Sequence, residues 1–196
     1  MDIISTVLNQ LTNQDNLKHV GTRANAQPSE VQKVAQKGLP LIMEGLNQRT
    51  AKDSDISARL ASSIEKHEKD DVANLPNLFQ KSNPDEGSQL LDMAFGNQQR
   101  DVESQLSKDT GVEQSKVGTI LKLIAPIALS MLAKKKGSGS LGASGISSLL
   151  SGFSGDMQKQ SGFNASSLIS GFLGGQDSKD SKEGPLDKLG DLFNRK

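Results

Sequence analysis

The sequence predicts an all-α fold, and three observations predict it. Apolar residues recur at helical spacing in segment after segment as far as residue 136. The chain has six Phe, no Trp and no Tyr, which argues against the aromatic and β-branched strands of a β-sandwich. One helical pattern, with a proline inside it, occurs twice at an offset of 86 residues. The architecture expected is a duplicated helical bundle over residues 1–136, with helix-turn-helix elements, and a Gly/Ser-rich tail with short amphipathic helices over 137–196.

The elements follow in order. Ile3, Ile4, Val7, Leu8 and Leu11 form one stripe of an amphipathic helix, with Asp2 at its positive end. Asn13 to Asn16 reads as a turn, and Leu17, Val20 and Ala24 as a second helix of about two turns. Pro28 suits the first position of a third helix, where its missing N–H costs nothing. That helix carries Val31, Val34, Ala35, Leu39, Ile42, Met43 and Leu46, and Gly38-Leu39-Pro40 predicts a kink within it. A fourth helix starts near Ser54, with Ile56, Leu60, Ala61 and Ile64 inward. The charged run Glu65 to Asp71 reads as a solvated face.

Asn74 to Asp85 reads as a connector that lays Leu75, Leu78 and Phe79 on the core. Leu90, Leu91, Ala94 and Phe95 then form a helical face that Gly96 ends. Val102 and Leu106 face inward on the next helix, and Thr110-Gly111 makes the turn. Val117, Ile120, Leu121, Ile124, Ile127, Ala128, Met131 and Leu132 line the last long helix of this part.

Adding 86 maps Val20 on Leu106, Ser29 on Ser115, Val31 on Val117, Val34 on Ile120, Pro40 on Pro126 and Leu46 on Leu132. The apolar register and the mid-helix proline hold without a gap. Two repeats, about 1–50 and 87–136, are therefore expected, joined by a helix and connector at 51–86.

Composition changes after Lys136. Gly137 to Gly145 is Gly/Ser-rich and reads as a flexible linker. Two near-copies follow, SSLLSGF over 147–153 and SSLISGF over 166–172, and a looser third, DKLGDLF, over 187–193. Helices this short are marginal in water, so each must dock or stay unfolded. The charged segment 176–184 reads as a structureless spacer.

Basic and acidic residues balance at 23 each, which gives no reason to expect a polyanion partner from net charge. The chain has no cysteine, so disulfides, thiolate chemistry and Cys-type zinc sites are excluded. The N-terminus lacks the pattern of a signal peptide. The longest apolar run, Leu123 to Ala133, covers 11 residues where a membrane span needs about 20. A soluble, cytoplasmic protein is expected.

No catalytic constellation is legible. His19 and His67 stand alone in the sequence and read as surface or helix-flank residues. The acidic pairs Asp70-Asp71 and Asp85-Glu86 read as loop and helix N-terminal charges rather than as a glycosidase pair. No phosphate loop, dinucleotide fingerprint or nucleophile elbow is present. The expectation is no catalytic residue, no metal and no cofactor.

Two binding readings remain. LSKDTGVEQSKVGTIL has the register of a helix-turn-helix from Leu106 to Ile120, repeated upstream by Gly21, Asn25 and Val31. Its second helix would offer Gln114, Ser115 and Lys116 to nucleic acid, but one positive charge supplies few phosphate contacts. In the tail, Leu149, Leu150, Phe153, Leu168, Ile169 and Phe172 could insert into a partner's groove or a lipid interface. Lys134-Lys135-Lys136 complements the negative end of its helix and would attract an anionic membrane only weakly.

The run EGSQLLDMAFG, then TGVEQSKVGTILKLIAPIALSML, a Gly/Ser linker and short LLSGF-like segments resembles the bacterial domain-of-unknown-function family nine-three-seven, near which YidB-like proteins are grouped. The resemblance is best over Asp85 to Phe153, with the N-terminal half as a degenerate copy. The family pattern has a histidine where Met93 stands here. The resemblance implies an all-helical fold with a homeodomain-like core and carries no catalytic residues across. The function expected is that of a non-enzymatic helical protein that binds a protein partner or itself; nucleic-acid binding and membrane-surface attachment are the alternatives.

Overall fold

Five of the helices begin where the sequence offers a cap. In the computed structural model, which describes residues 3–10, 13–137, 143–161 and residues 165, 166 and 169, α1 spans Ile3–Gln10 and α2 Gln14–Ala24. The Asn13 side chain accepts from the Asp15 N–H at 2.9 Å and starts α2. Asn25, in the left-handed region at φ 50°, ends it. Pro28 opens α3, Pro28–Lys52, behind a capping box in which Glu30 accepts from the Gln27 N–H. Asp53 caps α4, Ser54–Lys66, by accepting from the N–H groups of Asp55 and Ile56.

The connector of the sequence reading contains a helix, α5, Leu75–Lys81, capped by Asn74. Leu75, Leu78 and Phe79 are buried there, and Gln10 of α1 clamps its start, donating to the Ala73 carbonyl and accepting from the Leu75 N–H. Asn83 caps α6, Pro84–Phe95, and a 3₁₀ turn at Gly96–Gln98 leads into α7, Gln99–Thr110. Gly111, left-handed at φ 71°, makes the turn into α8, Gln114–Lys136. The last helix is α9, Ala143–Ser161. Among the described residues there is no strand, so the chain is all-helical.

The two proline-bearing helices, α3 and α8, pack on each other at the centre, with α6 against both. All of Leu123 to Ala133 is buried. Fully burying one Leu, Ile or Phe side chain stabilises by about 1.5–3 kcal/mol, so this run is the heart of the core. By length and composition α8 is sufficient to cross a membrane, which the 11-residue apolar run alone does not suggest. Of its most apolar window, 83% is covered by the rest of the chain.

Pro126 has no N–H for the Lys122 carbonyl, which loses its helical partner. The chain from 82 to 87 fills that place. Gly87 of α6 lies against the Lys122 carbonyl so closely that a Cβ would overlap it. The Ser82 hydroxyl donates to the next carbonyl, Leu123, at 2.9 Å. A proline that the sequence marks only as a kink is thus the seat of α6. In α3 the helix continues through Pro40 to Lys52.

Two expectations are revised. The run Glu65 to Asp71 is more than a solvated face: His67 and Asp70 are largely covered and bonded to α8. The tail expected from residue 137 includes α9, a helix of 19 residues whose Ile146, Leu150 and Phe153 are fully buried on the body. The reason is apolar burial: the apolar stripe of α9 covers the α3–α4–α8 surface.

Candidate functional site

In the segment read from sequence as a helix-turn-helix, Leu106, Val112, Val117 and Ile120 are buried. Its three candidate contact residues are engaged with the protein itself. Gln114 donates to the Arg100 carbonyl at 3.2 Å, and Ser115 to the Glu113 carboxylate at 2.6 Å. Lys116 donates to both carboxylate oxygens of Glu30 at 3.3 Å. Gln114 and Ser115 line an open polar depression of about 630 Å³, whose lining also includes Arg100, Lys122 and Glu103. Mixed charge of this kind gives a phosphate backbone little purchase.

A second cluster is one that sequence reasoning missed. Ser130 is 2% exposed, the lone hydroxyl in the apolar run of α8. It donates to Asp70 Oδ2 at 2.6 Å and lies 3.2 Å from the Pro126 carbonyl. His67 Nδ1 is 2.6 Å from the same Asp70 oxygen, and its Nε2 is 3.1 Å from Glu86 Oε1. Beside it Lys136 pairs with Glu68. In a serine-nucleophile site the imidazole faces the hydroxyl and the carboxylate stands behind it. Here His67 Nδ1 lies 3.4 Å from the hydroxyl but only 2.6 Å from the Asp70 oxygen to which that hydroxyl donates, so carboxylate, imidazole and hydroxyl meet at one point, and the hydroxyl is inside the protein. The arrangement ties α8, the α4–α5 connection and the start of α6 together. The signal available in the sequence was Ser130 itself, since a buried hydroxyl needs a partner.

The third place is the surface that α9 covers. Ile146, Leu150 and Phe153 fall at i, i+4 and i+7 and are each fully buried, with Leu149 half-buried beside them. This is the anchor spacing of an amphipathic helix in an apolar groove. The groove is made by α3, α4 and α8. Polar contacts flank it: Ser151 donates to Asn47 Oδ1 at 3.2 Å, and Lys135 pairs with Asp156 at 2.6 Å. The Lys135 ammonium also sits 4.9 Å above the Phe153 ring, a cation–π contact. It holds the Asp156 carboxyl below its ordinary value.

In the second near-copy, Ile169 holds the place of Leu150 and is likewise fully buried. Leu168 and Phe172 lie outside the described residues. Leu150, Phe153 and Ile169, read from sequence as contacts for a partner, are thus turned into this chain's own core.

Comparison with known proteins returns no matching curated protein and no matching solved structure. A family model does match, over residues 6–135, from Thr6 in α1 to Lys135 at the end of α8. With two thirds of its length so matched, the chain belongs to DUF937, a family of bacterial proteins of unknown function.

Proposed function

We propose that this is a non-enzymatic helix-binding module, acting in the bacterial cytoplasm, whose α3–α4–α8 groove takes amphipathic helical segments. One observation carries the reading: the docking of Ile146, Leu150 and Phe153 as three fully buried anchors at i, i+4 and i+7. The body that presents the groove is read as two copies of a three-helix unit. Supporting this, α3 and α8 begin 86 residues apart, at Pro28 and Gln114, and the turns before them use left-handed Asn25 and Gly111, also 86 apart.

The test is recovery of complexes from the native host by the full chain, by residues 1–136 and by a Leu149→Ser, Leu150→Ser, Phe153→Ser variant. A partner or self-association that changes when the tail segment is removed or replaced supports the reading. Identical behaviour of all three sinks it.

Nucleic-acid binding through Gln114, Ser115 and Lys116 is the second reading, favoured only by the register of the α7–α8 turn. Lys116, the one cation among the three, is committed to Glu30. A salt-sensitive shift of duplex DNA, weakened by Lys116→Glu, would revive it. For attachment to a membrane surface, two of the three lysines at 134–136 are already paired within the chain, with Asp156 and Glu68. Binding to anionic vesicles that depends on residues 137–196 would argue for it.

A further inference from the structure

Resting on the reading of the α3–α4–α8 surface as a helix-binding groove, we propose that the groove also accepts α9 from a second copy of this chain. The product is an exchanged dimer in which each Ala143–Ser161 helix docks on the other body.

α9 is a helix by virtue of its dock. Its 19 residues, ASGISSLLSGFSGDMQKQS, include six serines and three glycines, residues that weaken an isolated helix. Ser148 and Gly152 on its outer face are exposed, so its apolar hold on the body lies on the other face. That hold is local: the three anchors, the Ser151–Asn47 bond and the Lys135 contacts to Asp156 and Phe153. None of these contacts requires that α9 and α8 belong to one chain.

The connection is permissive. Residues 137–142 read GSGSLG, and six residues reach at most about 20 Å when extended. Gly137, at φ 69°, has nothing near the place of a Cβ. A body whose α9 has left exposes its apolar groove and Lys135. A second copy's α9 supplies the matching Ile, Leu and Phe spacing together with the acidic Asp156 that meets this lysine. Exchange of an identical element is a low-cost route to a dimer because no new interface need be invented. A short tether keeps the internal helix at an effective concentration on the millimolar scale, so exchange grows as the protein approaches that range.

The chain has no cysteine, which permits a direct test on the full-length protein. Asn47→Cys and Ser151→Cys are made in separate chains, at side chains now 3.2 Å apart. The two are refolded together at rising concentration and oxidised, and a non-reducing gel reports the product. The expected result is a covalent heterodimer that rises with concentration and falls about tenfold or more when the Ser151→Cys chain also carries Leu150→Asp. The exchange is overturned if no such heterodimer forms although the double variant, with both substitutions in one chain, closes its internal disulfide. If the double variant does not close, α9 does not occupy the groove, and the helix-binding reading falls as well.

Discussion

The Lys116 ammonium lies 3.3 Å from both carboxylate oxygens of Glu30, and the two residues are 86 apart in the chain. That separation is the offset between the two proline-bearing patterns, so each residue holds the same place in its own pattern. Both stand in the first turn of a long helix. In the duplication proposed above, a contact between equivalent residues falls on the axis that relates the two copies. Gly38 and Ile124 form a second such pair, since a Cβ at 38 would meet Ile124 Cδ1 at 3.6 Å.

Reversing the pair tests its role. Both side chains are about a quarter exposed. Lys116→Glu or Glu30→Lys alone is expected to cost about 1 kcal/mol, with added like-charge repulsion. The double exchange should recover most of the loss in urea unfolding. Additive losses would show that the two charges do not interact.

Acid should weaken the fold in a defined direction. Glu30 is held below its ordinary value of 4.5 by the hydrogen bond from the Gln27 N–H and then by Lys116. Lys135 holds Asp156 below its ordinary value of 3.8. A carboxyl depressed in the folded state binds its proton more readily in the unfolded one, so its contribution is complete above the ordinary values. It is lost as pH falls through the folded ones. The urea midpoint is therefore expected to fall from about pH 5 downward. Glu30→Gln should lower the midpoint at neutral pH and flatten that slope; Asp156→Asn should do so more weakly, because its side chain is nearly half exposed.

The seat of α6 gives a sharper prediction. A Cβ at Gly87 would overlap the backbone carbonyl of Lys122, which cannot rotate away, whereas one at Gly38 would meet the movable end of Leu121. Gly87→Ala is expected to destabilise by about 3 kcal/mol or more, and Gly38→Ala by less, as overpacking of a well-filled core does. Thermal unfolding of the two variants decides it. Equal effects would mean that α6 does not rest on the proline-freed carbonyl.

The polar tie beneath α8 is open to the same treatment. Ser130→Ala removes a donor from Asp70 and should cost about 1–2 kcal/mol. His67→Ala should cost more, because it leaves two carboxylates without the ring that lies between them. In urea unfolding, a Ser130→Ala loss as large as that of His67→Ala would place the centre of the tie at the hydroxyl rather than the imidazole.

What was legible in the sequence were features with a local cause. Apolar spacing located the long helices, and Pro28, Gly96 and Gly111 marked ends where they lie. The roles of His67, Asp70 and Glu86 were illegible because their partners are distant: Ser130 is 63 and 60 residues from the first two, and Glu86 is 19 from His67. By its Gly/Ser content the chain reads as a linker as far as Gly145, and the short segment 147–153 as one that must dock or stay unfolded. Tertiary burial of Ile146, Leu150 and Phe153 overrode that local preference. Leu150 and Phe153 looked like surface for a partner because an apolar stripe has the same spacing whether it faces its own body or another.

That dock yields the last prediction. Leu150→Ala or Phe153→Ala removes a fully buried anchor, a change that in a cooperative core costs about 2–5 kcal/mol. α9 is held by few anchors and carries weak helix formers, so it should undock before the body unfolds. Either variant is expected to deprotect the amides of Ser147 to Ser154 in hydrogen exchange by about tenfold or more, while Leu123 to Ala133 stay protected. If both segments lose protection together, α9 is an integral part of one cooperative core, and its release could not open a groove without unfolding the protein.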